Sequence, residues 1–423
     1  VNRFLVSDAK VSSLVSRLSD AKSSAEIERT FACATFSLIT EPGDRFAGSL
    51  IASLSPEVLL ELLLARASKS ETLAHLKCAG RLDETLSLFE DFETSFNDAI
   101  QRWTPRLKLP DVMSALDLAE KHDSKLLTSA SDHWPKQLND LQYAAPHCLW
   151  VKGSKIENIQ FADAISVVGS RNATGYGEWV TSEIVSDSSS RNLPVISGGA
   201  YGIDAIAHRS AIANDLVTVA FMAGGIDRLY PSGNASLFEK MFQRGAIIAE
   251  QAPGASPTKW RFLQRNRLIA AMSSATIVVE AGQRSGALNT VTHALELGRP
   301  VGVVPGPITS QSSAGCNRLI GEGLVTSICT PSAAADLALG KAGWFQPELE
   351  GLGAYETRAL DAMNSKSLAQ AAIASKAGLT SREIEIALGQ LALLGLVKQT
   401  DRGWLKLPLD HGQRIEASGE RIR

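Results

Sequence analysis

The stretch Ala164-Ile165-Ser166-Val167-Val168-Gly169-Ser170-Arg171-Asn172-Ala173-Thr174-Gly175 sets a short β-branched run before a glycine-led loop and a helix-length segment. That phrase recurs. Further apolar runs stand at Val195–Ile196, Val217–Phe221, Ala246–Ala249, Thr276–Val279 and Val301–Val304. Each leads into a loop rich in glycine or proline: Ser197-Gly198-Gly199, Gly224-Gly225-Ile226-Asp227, Pro253-Gly254, Gly282-Gln283-Arg284-Ser285-Gly286 and Pro305-Gly306-Pro307. Near-continuous apolar strands separated by helices are what a parallel sheet covered on both faces requires. The reading is an α/β domain with a Rossmann-like, doubly wound parallel sheet. Its loops gather at the carboxyl ends of the strands, where open sheets of this kind bind ligands.

Either side of this domain the pattern changes. The first third has helical apolar spacing, as in Pro56 to Ala67, where Val58, Leu59, Leu62, Leu63 and Leu64 follow a Ser55 cap and a first-turn proline. The acids scattered from Glu71 to Asp98 read as solvated helix faces. Asp132 to Trp150 reads as an extended, aromatic lead-in to the sheet. After a Pro- and Gly-bearing stretch, Lys366 to Ser375, a turn at Gly378, a Thr380-capped helix to Leu394 and a hairpin turning at Asp401-Arg402-Gly403 follow in the order of a winged helix. The expected organisation is a helical domain over 1–130, the Rossmann-like domain over 131–335, a linker over 336–353, a winged helix over 354–410 and a tail over 411–423.

Composition sets the limits. The chain has 423 residues, 42 Lys plus Arg against 45 Asp plus Glu, and 44% hydrophobic residues. This is the profile of a folded multidomain protein, with neither a polycationic tail nor an acidic disordered chain. Residues 1–150 carry 16 basic and 21 acidic side chains, 151–330 carry 15 and 13, and 331–423 carry 11 and 11. The middle is the only basic region, so an anionic partner is expected to dock there. Residues 352–410, with 7 basic and 6 acidic side chains, do not have the charge of a strong DNA reader. An interaction or dimerisation role fits them as well. Five cysteines without C-x-x-C spacing signal neither a disulfide framework nor a zinc cluster. With no membrane-length apolar run and no signal-peptide pattern, a cytosolic location is expected.

The loops exclude several chemistries. There is no G-x-G-x-x-G after the first strand and no acid placed for a ribose, which disfavours a nicotinamide-dependent oxidoreductase. No G-x-x-x-x-G-K-[ST], H-E-x-x-H or G-x-S-x-G occurs. What remains is an edge of backbone amides, hydroxyls and arginines suited to phosphate, with Arg171 and Arg284-Ser285-Gly286 able to converge. Lys259-Trp260-Arg261-Phe262-Leu263-Gln264-Arg265-Asn266-Arg267 adds four basic residues with two interleaved aromatics and no acid. That pairing suits a single-stranded nucleic acid, whose backbone meets cations and whose bases stack.

Structural roles compete at several of these positions. Asp204 suits the start of a helix, where the dipole favours an acid. The glycines of 197–202 fit either close approach of a ligand or tight turn geometry. His208 and His293 have no partners at metal spacing and read as hydrogen-bonded structural residues. Trp260 and Phe262 could instead be core residues, and Glu280 reads as a structural partner for a loop arginine.

In order and spacing, Val168-Gly169-Ser170-Arg171, Ser197 to Ala205 with His208, Tyr230-Pro231-Ser232-Gly233-Asn234, Arg265 to Ala270, Ser285 to Thr290 and Pro305-Gly306 closely resemble the DprA family, also called Smf. The resemblance covers about residues 130–330. It implies a DNA-processing protein without catalytic turnover and without a cofactor or metal. Such a protein binds single-stranded DNA on the Rossmann-like domain, forms a homodimer through it, and loads RecA recombinase for homologous recombination in natural transformation. Carried over by motif, the DNA pocket would involve Ser170, Arg171, Ser197, Gly198, Gly199, Lys259, Phe262, Arg265 and Asn266. The reading of the basic segment and the late loop adds Arg267, Arg284 and Ser285. The chain departs from the family at Phe262-Leu263, where Phe-Pro is usual, and at Tyr201, where many members carry arginine and hence a possible phosphate contact. The alternative is an enzyme similar to the nucleotide phosphoribohydrolases of this fold. Those need a catalytic glutamate in the helix after the late glycine loop, and Ala287 to Leu295 contain no acid.

Overall fold

The computed structural model describes residues 9–153, 161–341, 352–363, 367–400 and 403–407. Two compact units divide the chain, one ending at Ala342 and the other beginning at Gly343.

In the first unit, nine strands form one sheet: β1 (Lys125–Leu127), β2 (Leu149–Gly153), β3 (Ile165–Val168), β4 (Val195–Ser197), β5 (Thr218–Met222), β6 (Ala246–Ala249), β7 (Ala275–Val278), β8 (Val301–Val303) and β9 (Thr326–Ser327). They are ordered β1-β2-β6-β5-β4-β3-β7-β8-β9. The ladders from β6 across to β9 are all parallel, and β1 and β2 add an antiparallel edge beside β6. β3 to β8 are buried along their whole length, as their β-branched runs require. Strand order reverses between β3 and β7. The loops that follow these two strands therefore leave on opposite faces and open a crevice at the carboxyl edge.

The helical first third does not form a core of its own. Phe31, Phe36, Leu50 and Trp103 share one apolar cluster with Trp150 of β2, Met222 of β5 and Ile247 of β6. Trp150 is fully buried, and its indole donates to the Ser37 hydroxyl at 3.2 Å. The sheet itself begins at Lys125, inside the segment read as helical, and Lys136–Ala144 coils as a 3-10 helix where an extended lead-in was expected. Strands of three and five residues are too short to show alternation in the sequence. Pro56–Leu64 forms a helix with Ser55 at its start, as its spacing demands. Several acids of the region read as solvated act as caps, since Glu71 closes a capping box on Ser68 and Asp91 accepts from the Thr94 amide. Among the described residues no single helix is long and apolar enough to cross a membrane.

The second unit has helices Ala354–Ala362, Gln370–Ala377 and Ser381–Leu393, then a hairpin of β10 (Val397–Thr400) and β11 (Gly403–Lys406). Thr380 makes a capping box with Glu383, and Gly378 ends the preceding helix in the left-handed region at φ 64°. The helix over 354–362 has no counterpart in the sequence reading. Lys366, the hairpin turn at Asp401 and Arg402, residues 342–351 of the expected linker and the tail over 411–423 lie outside the described residues.

Because Trp150 belongs to a core shared by helices and sheet, Trp150→Ala should destabilise the first unit by about 3–5 kcal/mol. Its denaturant transition, followed by circular dichroism, should stay single. A separate early loss of helix would contradict a shared core.

Candidate nucleic-acid interface

The crevice between β3 and β7 holds a cavity of about 960 Å³. Gly169, Ser170 and Arg171 from the loop after β3 form one wall, and Gly282, Arg284, Ser285 and Gly286 from the loop after β7 form another. Thr258, Lys259, Phe262, Arg265 and Asn266 of the helix Lys259–Ala271 close the third side. Thr258 caps that helix by accepting from the Arg261 amide, so its first turn opens at the cavity.

The helix periodicity divides the basic segment among four environments. Arg265 is buried at 6% exposure and donates to the carbonyls of Gly198 at 2.7 Å and Phe221 at 2.6 Å. Burial pulls its guanidinium down to about 10, with Asp204 opposing and Arg171 adding to the depression. Asp204 accepts from the Gly198 and Ala200 amides, and burial raises its carboxyl above the usual range despite Arg265. Arg267 points away from the cavity and makes two bonds to Glu250, at 2.8 and 2.6 Å, with both side chains nearly sequestered. Arg261 clasps Glu41 of the helical region at 2.9 and 3.0 Å. Burial raises the Glu41 carboxyl, but Arg261 and Arg106 together hold it below its ordinary value. Only Lys259 of the four is exposed.

Three cations thus face the opening. Arg171, Lys259 and Arg284 are exposed, and no ion pair is made by any of them among the described residues. Between them stands Phe262, half-buried, with the Arg171 guanidinium 5.1 Å and that of Arg265 5.9 Å from its ring centre, and Tyr230 edge-on at 5.7 Å. Trp260, two residues before Phe262 and so on another face of the helix, is 56% exposed and does not line the cavity.

The other expected residues take structural positions. Ser197 is fully buried and donates to the Val167 carbonyl at 2.6 Å. Gly198 and Gly199 lie beneath the cavity, and a Cβ at Gly198 would stand 2.2 Å from an Arg265 nitrogen. Gly202, at φ 73°, lets the Ser170 carbonyl approach where a Cβ would come within 2.2 Å. The close approach these glycines permit is therefore made by the protein's own groups. Asn266 ties its helix to the Gly286 carbonyl at 3.3 Å and to Asn289 at 3.2 Å, and Ser285 accepts from the Ala287 amide at the next helix start. Ser170 holds its own loop through the Asn172 amide.

No acid in the crevice is free. Glu280 is sequestered, accepting from the Thr174 amide at 2.9 Å and hydroxyl at 2.5 Å, so its partner is a loop threonine and not an arginine. The helix Ala287–Glu296 has its one acid at its far end, beside His293. His208 is fully buried, hydrogen-bonded to Thr218 at 2.7 Å, and its second ring nitrogen has no partner. Burial, aided by Arg265 and Arg209, pulls it down to about 3. Among the described residues no group of His, Cys, Asp or Glu could hold a metal ion. Tyr230 is an aromatic cavity residue that the sequence reading did not assign to the site, because its contact with Phe262 joins a loop and a helix 32 positions apart.

Comparison with known proteins agrees with this architecture. Residues 125–337 match the family described as DNA recombination-mediator protein A. A Mycobacterium tuberculosis chain named DprA is 36% identical over 346 residues, covering 75% of this chain and 86% of that one. The Bacillus subtilis DNA processing protein DprA is 31% identical over 270 residues, covering 64% and 86%. The X-ray structure of DNA processing protein A from Streptococcus pneumoniae superposes with a TM-score of 0.52 at 25% identity, over 74% of this chain and 97% of that one.

Two outcomes follow from the geometry. Arg267→Ala leaves Glu250 buried and unpaired, and should lower stability by about 3–5 kcal/mol in denaturant titrations. Arg171→Ala should stay within about 0.5 kcal/mol of the parent. For His208, the folded state holds fewer protons than the unfolded chain between pH about 3 and about 6.5. Stability should therefore fall as pH is lowered through that window, by at most about 1.4 kcal/mol per pH unit from this residue. His208→Gln should flatten the slope, read as unfolding free energy at several pH values.

Proposed function

Since the chain belongs to the DNA recombination-mediator protein A family, we propose that it binds single-stranded DNA in the crevice between β3 and β7, protecting that strand and loading RecA recombinase onto it during homologous recombination and natural transformation. One observation carries the DNA reading: three unpaired cations, Arg171, Lys259 and Arg284, ring an aromatic side chain in a cavity without a free acid. Phosphates meet the cations and the helix starts after Thr258 and Gly286, and a base stacks against Phe262. Duplex hides its bases from such a ring, so the single strand is preferred. Contacts to phosphate and to a π-face carry little sequence information.

The protein does this without turnover, because the buried acids Asp204 and Glu280 are both held by backbone amides and neither is placed to act as a general acid or base. Loading of RecA and homodimerisation through the first unit rest on family membership. Ser170, Asn266, Ser285 and the Ser197–Gly199 loop serve as the frame that sets the cations, and Arg265 is the buried post behind Phe262.

Arg171→Ala should weaken single-strand binding across sequences and lower the slope of log affinity against log salt by about 0.7 per lost contact. Phe262→Ala should cost about 1–3 kcal/mol of binding. Both are read by fluorescence anisotropy over a salt series. Unchanged affinity in both folded variants at every salt concentration would remove DNA from this crevice.

A further inference from the structure

Exposed aromatic rings in the first unit are confined to five positions among the described residues: Tyr176, Trp179, Tyr201, Tyr230 and Trp260. All five follow the carboxyl ends of β3 to β6, in loops or in the first turns of the next helices. Tyr176 is anchored through its hydroxyl to the Pro305 carbonyl, and Trp179 is flanked by exposed Glu178 and Glu183, which repel phosphate. Tyr201 and Tyr230 stand elsewhere. They stand in the loops that follow β4 and β5, which are neighbours in the sheet.

The two loops are locked to each other. Asn234 donates from one side-chain nitrogen to the carbonyls of Gly199 at 2.9 Å and Ala200 at 3.2 Å, and the Tyr201 ring lies against Gly233, where a Cβ would meet its hydroxyl at 2.5 Å. Tyr230 in turn touches Phe262. An aromatic line therefore runs from the cavity through Tyr230 to Tyr201, which is 46% exposed and lies outside the cavity lining. The loop after β5 also carries a cation. Asp227 accepts from the Gly254 amide and pairs at 3.5 Å with Arg228, which donates to the Ser256 hydroxyl and keeps its side chain 54% exposed.

The geometry points to Tyr230 and Tyr201 as a base-stacking row that carries the single strand out of the crevice across the ends of β5 and β4, with Arg228 beside its backbone. The inference rests on the single-strand reading of the crevice. Rings fixed in advance offer their faces at little cost in side-chain entropy, and stacking on them tolerates any base.

The test uses the full chain and thymidine oligonucleotides of about four and about twelve residues. Tyr201→Ala should weaken the longer strand about tenfold, a loss of ~1.4 kcal/mol, and leave the shorter one unchanged. With a longer strand made abasic outside a central four-base stretch, the same substitution should have no effect. Tyr201→Phe should bind like the parent, and Trp179→Ala should too. Equal affinity of Tyr201→Ala and the parent for the longer strand would overturn the row, as would an equal loss in Trp179→Ala. If Tyr201→Ala melts below the parent, Arg228→Ala provides the second measurement: it should lower the salt slope for the longer strand only, and an unchanged slope would also overturn the row. Failure of the crevice itself looks different, because Arg171→Ala and Phe262→Ala would then leave both strands bound as tightly as before.

Discussion

Arg265 is the constraint on which the crevice depends. Its guanidinium reaches from the helix Lys259–Ala271 to the carbonyls of Gly198, just past β4, and Phe221, near the end of β5. The ladder between β4 and β5 ends before them, at Ser197 and Ala220. Filling them with a buried cation instead of water demands a glycine at 198, an acid within reach, and a ring overhead that tolerates positive charge. Gly198, Asp204 and Phe262 meet these demands in turn. Each lies against the same group, which ties the pocket floor, the loop after β4 and the Phe262 ring together.

The helical region enters this scheme as a buttress. Glu41 takes Arg261 from the first turn of the same helix, and Trp150 and Ser37 join the helices to the sheet edge. The helix that presents Lys259 and Phe262 is thereby held from both ends, by Glu41 near its start and by Glu250 through Arg267 further along. Precision of side-chain placement on a regular element held in this way is greater than on a free loop.

Much of the fold was legible because a fully buried strand leaves a continuous apolar run that no helix of similar burial mimics at four or five residues. β3 and β6 coincide with their runs residue for residue, and β4, β5, β7 and β8 differ by one. β1, β2 and β9 escaped notice, being strands of two to five residues at or beside the two edges of the sheet. The site was legible in its loops and less so in its basic helix. Four cations in nine residues read as one surface, yet a helix turns 100° per residue and sends them in different directions. The acids that take two of them are Glu41, 220 positions before Arg261, and Glu250, 17 before Arg267. Separation in sequence hides such pairs, and only the fold brings them together. His208 was read as structural and is so placed, although its second ring nitrogen, left without a partner, had no signal in the sequence.

Unpaired positive charge also has a consequence for the free protein. Arg171 and Arg265 share one aromatic ring, and while burial is the main cause that pulls the Arg265 guanidinium down, the like charge of Arg171 adds to it. Asp204 offsets part of it from beneath, where it also accepts from the loop amides, while Glu280 is occupied with Thr174. A protein selected for stability alone would place an acid at this opening. Leaving it out keeps the cations poorly compensated, and on the proposed reading a phosphate would gain both its own attraction and the relief of theirs. Binding of this kind stabilises the folded state by mass action in proportion to its affinity. The crevice therefore keeps exposed cations at its opening without an exposed acid beside them, while the buried Asp204 lies below and favours the charge of Arg265.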